Sequence, residues 1–225
     1  MDKKNITIGI FDSGLGGTSI QKEIKKALPN INIIYLADTK NFPYGNKTFK
    51  KLKEIAIENT KYLISKGAKL IVVACNTATV VAIKTLRNTF PNISFVGVEP
   101  AVKPAGLIAK KGIIILSSPK ATKSVQLKIL IQKFVKKVEV INIGSLDLVL
   151  AIEQNKGKND INKILNRIFP KKVLSKTDVL VLGCTHFPLI KGLIKKHVGP
   201  KIKVVDSGAA VARRVKNQLK LINKS

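Results

Sequence analysis

Cysteine, arginine and acidic residues are all scarce in this chain of 225 residues. It contains two cysteines, and its 41 lysines and arginines outnumber 13 aspartates and glutamates, which gives a formal net charge of +28. Two cysteines cannot form a disulfide framework, and a chain of this length with 45% hydrophobic residues can build a core without such staples. We expect both thiols to be reduced, as in a cytoplasmic protein.

Long apolar runs are also missing. The N-terminal segment is charged and then apolar for about one strand, which is too short for a signal peptide's core or a membrane span. Neither end carries a lipidation motif. The sequence therefore predicts a cytoplasmic protein with no membrane partner.

The charge excess consists almost entirely of lysine. Only four arginines occur, and the lysines are spread over many segments with no run longer than two. Base readout and bidentate phosphate binding prefer arginine, so a solvated lysine coat is the favoured interpretation and no specific nucleic-acid partner is expected. A basic nucleic-acid-binding protein remains an alternative, and non-specific polyanion binding at low salt is expected in either case.

Strand-like and helix-like segments alternate along the chain, and the strands are almost continuously apolar. This pattern predicts an α/β fold with mainly parallel sheets covered by helices on both faces. Strands are expected at 6–11, 31–36, 70–74, 93–98, 113–116, 138–143, 179–182 and 203–205. Helices are expected at 19–28, 49–66, up to 90, near 123–136, once or twice between 146 and 169, and from 209.

The two cysteines occupy similar local settings. VVACNTAT around Cys75 and LVLGCTHFP around Cys184 each place a cysteine at the end of an apolar run and polar residues behind it. The two positions lie nearly half the chain apart. Two similar α/β units, each offering a cysteine loop, would be one way to build a pseudo-symmetric site.

Ligands of open parallel sheets bind beyond the carboxyl ends of the strands. A cysteine just before a helix lies at the positive end of the helix dipole, and two thiols across a cleft could remove a proton from one face of a carbon and return one to the other. Nearby hydroxyl, amide and backbone N–H groups would suit a substrate with carboxylates. The loops expected at this end are Asp12-Ser13-Gly14, Pro43-Tyr44-Gly45, Cys75-Asn76-Thr77 and Cys184-Thr185-His186.

Other interpretations stay open for the same residues. Each cysteine could be a small buried hydrophobe, and His186 could be structural or an acid/base helper. Asp12 could cap the next helix, the GLGG turn could hold a phosphate, and Glu153 has no local motif beyond that of a surface carboxylate. A zinc ion would need the scattered set Cys75, Cys184, His186 and His197.

Six segments in order along nearly the whole chain resemble glutamate racemase: IGIFDSGLGGTS, ADTKNFPYGNKT, VVACNTAT, VGVEPAVKPA, VLGCTHFPLI and VVDSGAAVARRV. The resemblance implies racemization of L- to D-glutamate for peptidoglycan without cofactor or metal. It implies two α/β domains, 1–98 with 208–225 and 99–207, with the site in the cleft between them. A homodimer is compatible with it, and a related racemase, such as one for aspartate, is an alternative.

The resemblance also assigns roles to residues. It implies that Cys75 and Cys184 are the catalytic acid/base thiols, that Asp12 assists Cys75 and His186 assists Cys184, and that Glu153 is a supporting glutamate. It implies a substrate site lined by Asp12, Ser13, Tyr44, Gly45, Asn76, Thr77, Thr185 and His186.

Two positions depart from the family pattern. Ala121 stands where a threonine is usual, and Leu127 stands where a tyrosine is expected. A lost hydrogen bond to a charged group is worth roughly 1.5–3 kcal/mol. We therefore expect weaker carboxylate binding by the second domain unless Ser118 or Thr122 substitutes.

Overall fold

The computed structural model describes residues 6–222, and the chain divides into two compact units. The first comprises the residues up to Glu99 together with those from Gly208 onward, and the second runs from Pro100 to Ser207. Residues 1–5 and 223–225, which the sequence analysis assigns to the first domain, lie outside the described range.

The first unit is built on a four-stranded parallel sheet. Its strands are β1 (Thr7–Asp12), β2 (Asn32–Ala37), β3 (Ala68–Val73) and β4 (Ser94–Gly97), in the order β2-β1-β3-β4. Ile10 of β1 is in register with Tyr35 of β2 and with Val72 of β3. The central strands are buried on both faces, which explains their continuous apolar sequences.

Three helices follow the first three strands of this sheet: α1 (Thr18–Ala27), α2 (Phe49–Ser65) and α3 (Asn76–Thr89). The hydroxyl oxygen of Thr48 accepts a hydrogen bond from the Lys51 N–H and so caps α2. Gly67 follows the end of α2 with a φ of +88°, a conformation that glycine adopts without strain.

The second unit repeats the arrangement of the first. Its strands are β5 (Gly112–Ser117), β6 (Glu139–Gly144), β7 (Val179–Leu182) and β8 (Lys203–Val205), all parallel and in the order β6-β5-β7-β8. The predicted α/β class with parallel sheets is confirmed. The internal similarity noted in the sequence corresponds to two sheets with the same strand order.

The helices of the second unit are α4 (Val102–Ile108), α5 (Pro119–Thr122), α6 (Val125–Phe134), α7 (Leu146–Glu153), α8 (Lys158–Ile168), α9 (Lys171–Leu174) and α10 (Lys191–Val198). The helix expected near 123–136 is α6, which begins after Ser124 because the Ser124 hydroxyl oxygen accepts a hydrogen bond from the Leu127 N–H. The short helices α4, α5, α9 and α10 were not predicted from the sequence.

The helices α4 and α6 cover one face of the second sheet. Buried residues of both helices pack in one cluster with alternate residues of β5 and β7, namely Ile113, Ile115, Val179 and Val181. Gly106 allows α4 to approach α6 closely, because a Cβ atom there would lie 2.1 Å from the Phe134 carbonyl oxygen.

The last helix, α11 (Gly208–Ile222), packs against α1 in the first unit. Its buried residues join the hydrophobic cluster that contains Ile8, Ile10 and Leu70; they are Val211, Ala212, Val215 and Leu219. None of the helices within residues 6–222 is both long and apolar enough to cross a bilayer.

Candidate functional site

The first three strands of the first unit end side by side, and each leads into a loop with polar residues. The Asp38 N–H donates to the Asp12 carbonyl at 2.9 Å, and the Ala74 N–H donates to the Phe11 carbonyl at 2.9 Å. These bonds place the loops that begin at Asp12, Asp38 and Cys75 along one edge of the sheet.

Asp12 is completely buried at this edge, inside the glycine-rich turn. Its Oδ2 accepts a hydrogen bond from the Gly14 N–H at 3.1 Å. The cap position of α1 is held by Gly17 and not by Asp12. A Cβ atom at Gly17 would lie 2.7 Å from the Cβ of Asp12, so the turn can close around the aspartate only with glycine there. The phenol of Tyr35 donates to the Gly14 carbonyl at 2.6 Å and fixes the turn from outside.

Cys75 occupies the cap position of α3 and is almost fully buried. Its sulfur therefore lies at the positive end of a helix of 14 residues. The Thr79 hydroxyl holds the loop from behind, since it donates to the Val73 carbonyl and accepts from the Val98 N–H. The Asn76 amide donates to the Val98 carbonyl at 3.3 Å.

Tyr44 points into the protein, and its side chain is 2% exposed. Its hydroxyl donates to Asp38 Oδ2 at 2.6 Å and accepts from the Asn59 amide at 2.9 Å. The Asn41 and Asn59 amides also donate to the Asp38 carboxylate. Burial, and then the hydrogen bond to Asp38 and its charge, raise the pKa of the Tyr44 phenol far above its ordinary value.

This network determines what the Tyr44 loop can offer a ligand. The phenol is occupied by Asp38 and Asn59, and its ring packs in the cluster that contains Phe11 and Cys75. Only the backbone of Tyr44 and Gly45 is therefore left to contact a ligand. Neither Asp38 nor Asn59 was predicted from the sequence: Asp38 lies in the segment ADTKNFPYG, whereas nothing in the sequence marked Asn59.

In the second unit, Cys184, His186 and Glu153 form a chain of contacts. The loop starts at Gly183, whose N–H donates to the Leu116 carbonyl at 2.7 Å beside the end of β5. Cys184 Sγ lies 3.7 Å from His186 Nδ1, and His186 Nε2 lies 2.6 Å from Glu153 Oε2. The imidazole is 2% exposed and the Glu153 side chain 13%.

The contact with Glu153 orients the imidazole. A carboxylate accepts a hydrogen bond, so Nε2 carries a proton and Nδ1 faces the sulfur of Cys184. In this orientation His186 can take a proton from the thiol or return one, while Glu153 stabilises the imidazolium that results. The interpretation of Glu153 as a surface carboxylate is wrong; only the resemblance pointed to it, because α7 places it beside a residue 33 positions away.

The predicted site residues fall into two sets. One set, at the carboxyl edge of the first sheet, comprises Asp12, Ser13, Tyr44, Gly45, Cys75, Asn76 and Thr77; the other, after β7, comprises Cys184, Thr185 and His186. At the departures, Ala121 and Leu127 are both buried. The Ser118 side-chain oxygen accepts a hydrogen bond from the Ala121 N–H, and the Thr122 hydroxyl donates one to the Pro119 carbonyl. Both neighbouring hydroxyls thus make hydrogen bonds within their own turn.

A metal site finds little support in the arrangement of side chains. His197 is on α10, with its ring centroid 6.0 Å from that of Phe169. Across residues 6–222, no three or more histidine, cysteine and carboxylate side chains are grouped so that they could hold a metal ion.

Comparison with known proteins shows which family this chain belongs to. The profile of the family Asp/Glu/Hydantoin racemase matches residues 18–215. The glutamate racemase of Clostridium botulinum is 38% identical over 221 residues, which are 97% of this chain and 86% of that protein. The glutamate racemase of Ectopseudomonas mendocina is 37% identical over 221 residues, 97% of this chain and 84% of that protein.

The structural similarity agrees with the sequence similarity. The crystal structure of Escherichia coli glutamate racemase with L-glutamate and the activator UDP-MurNAc-Ala has a TM-score of 0.89 and 33% identity to this chain. It covers 96% of this chain, which spans 82% of that one. The chain belongs to the Asp/Glu/hydantoin racemase family and, within it, to the glutamate racemases.

Proposed function

We propose that this protein interconverts L- and D-glutamate by two-base proton transfer through Cys75 and Cys184, and so supplies D-glutamate for peptidoglycan. The observation that carries the proposal is the equivalent placement of the two thiols. Cys75 follows β3 and Cys184 follows β7, which are corresponding strands in two sheets of the same order. Both thiols must be reduced for this chemistry, as they are in a cytoplasmic protein.

The proton balance of the reaction closes without a cofactor. One sulfur, as thiolate, takes the Cα proton of glutamate, and the other sulfur, as thiol, delivers its proton to the opposite face of the carbon. The product is the other enantiomer, and the two sulfurs have exchanged protonation states. They return to the starting state by exchange with water or by a turnover in the reverse direction.

The neighbours of each thiol differ, and so do their proposed tasks. His186, held by Glu153, relays protons to and from Cys184. Cys75 shares its edge of the first sheet with the buried carboxylate of Asp12, and we assign Asp12 to assist that thiol. The hydroxyl and amide groups of Ser13, Asn76, Thr77 and Thr185, with the backbone N–H groups of Tyr44 and Gly45, are assigned to the substrate's carboxylates and amino group.

The proposal is tested by proton NMR of the purified protein with L-glutamate in D₂O and no added cofactor. We expect the Cα proton signal to disappear while chiral analysis shows D-glutamate. Exchange with aspartate instead of glutamate would assign a different substrate to the same mechanism. No exchange with either would contradict the proposed activity.

Single-thiol variants test the assignment of the two bases. Cys75→Ala and Cys184→Ala should each abolish racemization while melting like the wild type, because one base cannot serve both faces. The base that remains can still exchange the Cα proton of the enantiomer it faces, so the two variants should favour opposite enantiomers in D₂O. Unchanged turnover in either variant, or exchange of the same enantiomer by both, would refute the two-base assignment.

A further inference from the structure

The second unit carries an exposed apolar patch that its fold leaves uncovered. It consists of Leu107 and Ile108 on α4 and of Val125 and Ile129 on α6, and we call it the α4–α6 patch. Leu107 is 78% exposed, Val125 68% and Ile129 54%. Val125 and Ile129 are four residues apart and therefore lie on the same side of α6. The buried side of both helices already packs on the sheet, so these side chains add nothing to the core.

The segment that carries the patch is uniformly positive. Residues 100–138 contain nine lysines and neither an acidic residue nor an arginine. Lys103 of α4 and Lys133 of α6 place their amino groups 5.6 and 5.5 Å from the centre of the same Phe134 ring, so lysines of both helices converge where the helices meet. Lys128 precedes Ile129 and is exposed.

Two carboxylates lie near this segment, away from α4 and α6. Asp178 accepts hydrogen bonds from the backbone N–H groups of Lys110, Lys111 and Gly112. Glu139 lies opposite Gly112 in the register of β5 and β6. Both carboxylates are therefore at the Gly112 end of β5, and neither belongs to α4 or α6.

We propose that the α4–α6 patch binds the surface of an anionic lipid bilayer, with the apolar side chains in the interface and the lysines on the headgroups. Exposed aliphatic side chains next to lysines suit such a surface, because lysine can place its charge among headgroups while its methylenes stay in apolar surroundings. Protein interfaces are depleted in lysine, and a second copy would bring the same positive charge to the contact. A nucleic acid would bind the lysines through its phosphates and would leave the aliphatic side chains exposed.

The expectation of no membrane partner rested on the lack of a membrane-spanning run, whereas this proposal requires only peripheral contact. It needs no helix that crosses a bilayer, and none within residues 6–222 could do so. It is also independent of the racemase mechanism, since none of the patch residues is assigned to the site. Racemization measured on the same preparations therefore tests the two proposals separately.

The first test uses the natural absence of tryptophan from the chain. Ile129→Trp introduces a single reporter in the patch, and Tyr62→Trp introduces a matched one at an exposed position of α2. With vesicles of phosphatidylcholine and phosphatidylglycerol, we expect a blue shift of the emission for Ile129→Trp and none for Tyr62→Trp. Pure phosphatidylcholine vesicles should shift neither. Equal shifts for both reporters, or a shift without anionic lipid, would overturn the proposal.

The second test separates apolar contact from charge by co-sedimentation with the same vesicles. Val125→Ser with Ile129→Ser should lower the partition coefficient by about tenfold or more, because two aliphatic groups leave the interface. Lys128→Glu with Lys133→Glu should lower it far more than Lys195→Glu with Lys196→Glu, the same charge change on α10. Melting curves verify that the variants fold.

Three results would overturn the membrane assignment in this second test. A vesicle partition coefficient that the serine replacements leave unchanged would indicate that the protein binds by charge attraction alone. Binding of poly-glutamate that depends on Val125 and Ile129, without vesicle binding, would assign the patch to an acidic protein segment. Self-association that the serine replacements abolish would assign it to a second copy of the chain.

Discussion

The two ring nitrogens of His186 have different partners, as the proposed proton relay requires. Nε2 is held by Glu153 and Nδ1 faces the thiol, so a proton that arrives at one nitrogen is balanced by the carboxylate at the other. On the first unit the corresponding thiol has no histidine near it in sequence and lies instead at the start of α3. The two sulfurs are equivalent in topology and different in chemical surroundings.

We expect Glu153→Gln to lower kcat by roughly ten- to a hundredfold and to leave the KM for glutamate nearly unchanged. The amide can still accept the hydrogen bond from Nε2, but it carries no charge to stabilise the imidazolium. Racemization followed by circular dichroism measures both constants. Glu139→Gln, an exposed carboxylate on β6, is the matched control and should behave like the wild type. A similar loss in both variants would refute the relay.

Tyr44 makes the first unit sensitive to alkaline pH. Burial and then Asp38 raise the pKa of its phenol above the ordinary value of 10.0, so the folded protein keeps a proton there that the unfolded chain loses. Stability that is fully present below pH 10 must therefore fall as the pH rises above about 10. Urea unfolding at a series of alkaline pH values should show this slope, and Tyr44→Phe should reduce it. Tyr62→Phe, with an exposed ring, should leave the slope as it is.

The sequence predicts the two thiols from their local setting and fails for contacts between residues that are far apart in the chain. Cys75 and Cys184 were identifiable because an apolar strand ends directly before each of them. Asp38 and Asn59 are joined across 21 residues, and Glu153 and His186 across 33. Such pairs are made by the packing of helices on the sheet, and local patterns do not contain that information.

Among the elements, the central strands β1, β3, β5 and β7 were predicted well because they are buried on both faces and therefore continuously apolar. The strands β2, β6 and β8 are only partly buried, and their β-branched residues made them recognisable. The helices that were missed are short, and α4 contains Pro104 and Gly106, which are typical of loops. It forms because its apolar side packs against β7 and α6, and Gly106 is the residue that permits the close contact with α6. Tertiary packing here outweighs a weak local preference for helix.

Gly106 and Gly192 provide a test of this explanation, because both lie inside short helices of the second unit. Gly106→Ala should destabilise the protein by several kcal/mol, since the new Cβ would lie 2.1 Å from a backbone oxygen. Gly192→Ala meets no atom within 4 Å and should stabilise α10 by about 0.5–1 kcal/mol. Urea denaturation of both variants measures the difference. Equal effects of the two substitutions would contradict the packing argument.

At the scale of the whole molecule, a net charge of +28 means that the lysines of the surface repel one another. Like charges repel more strongly in the compact state than in the expanded unfolded chain, so they lower stability when salt is low. The net charge that causes this repulsion can be counted from the sequence. The exposure of the α4–α6 patch depends on how the helices pack on the sheet, and the sequence alone did not predict it.

We expect the melting temperature to rise when sodium chloride is added to a dilute buffer, since the Debye length shortens from about 30 Å at 0.01 M to about 8 Å at 0.15 M. The double variant Lys195→Glu with Lys196→Glu has less charge to screen, and its melting temperature should rise less over the same range. Differential scanning calorimetry of both proteins measures the two increments. A melting temperature that falls with salt would show that attractive ion pairs outweigh the repulsion.

The first unit is made from the two ends of the chain, and this has a consequence for protein synthesis. Its strands leave the ribosome early, but α11, which supplies Val215 and Leu219 to its core, is translated after the whole second unit. The second unit is continuous in sequence and can fold while the first still waits for its last helix. A chain released before Gly208 would keep the Cys184 loop on a complete scaffold and leave the face with Ile8 and Ile10 without its cover. The first unit therefore cannot complete its core until α11 has been translated.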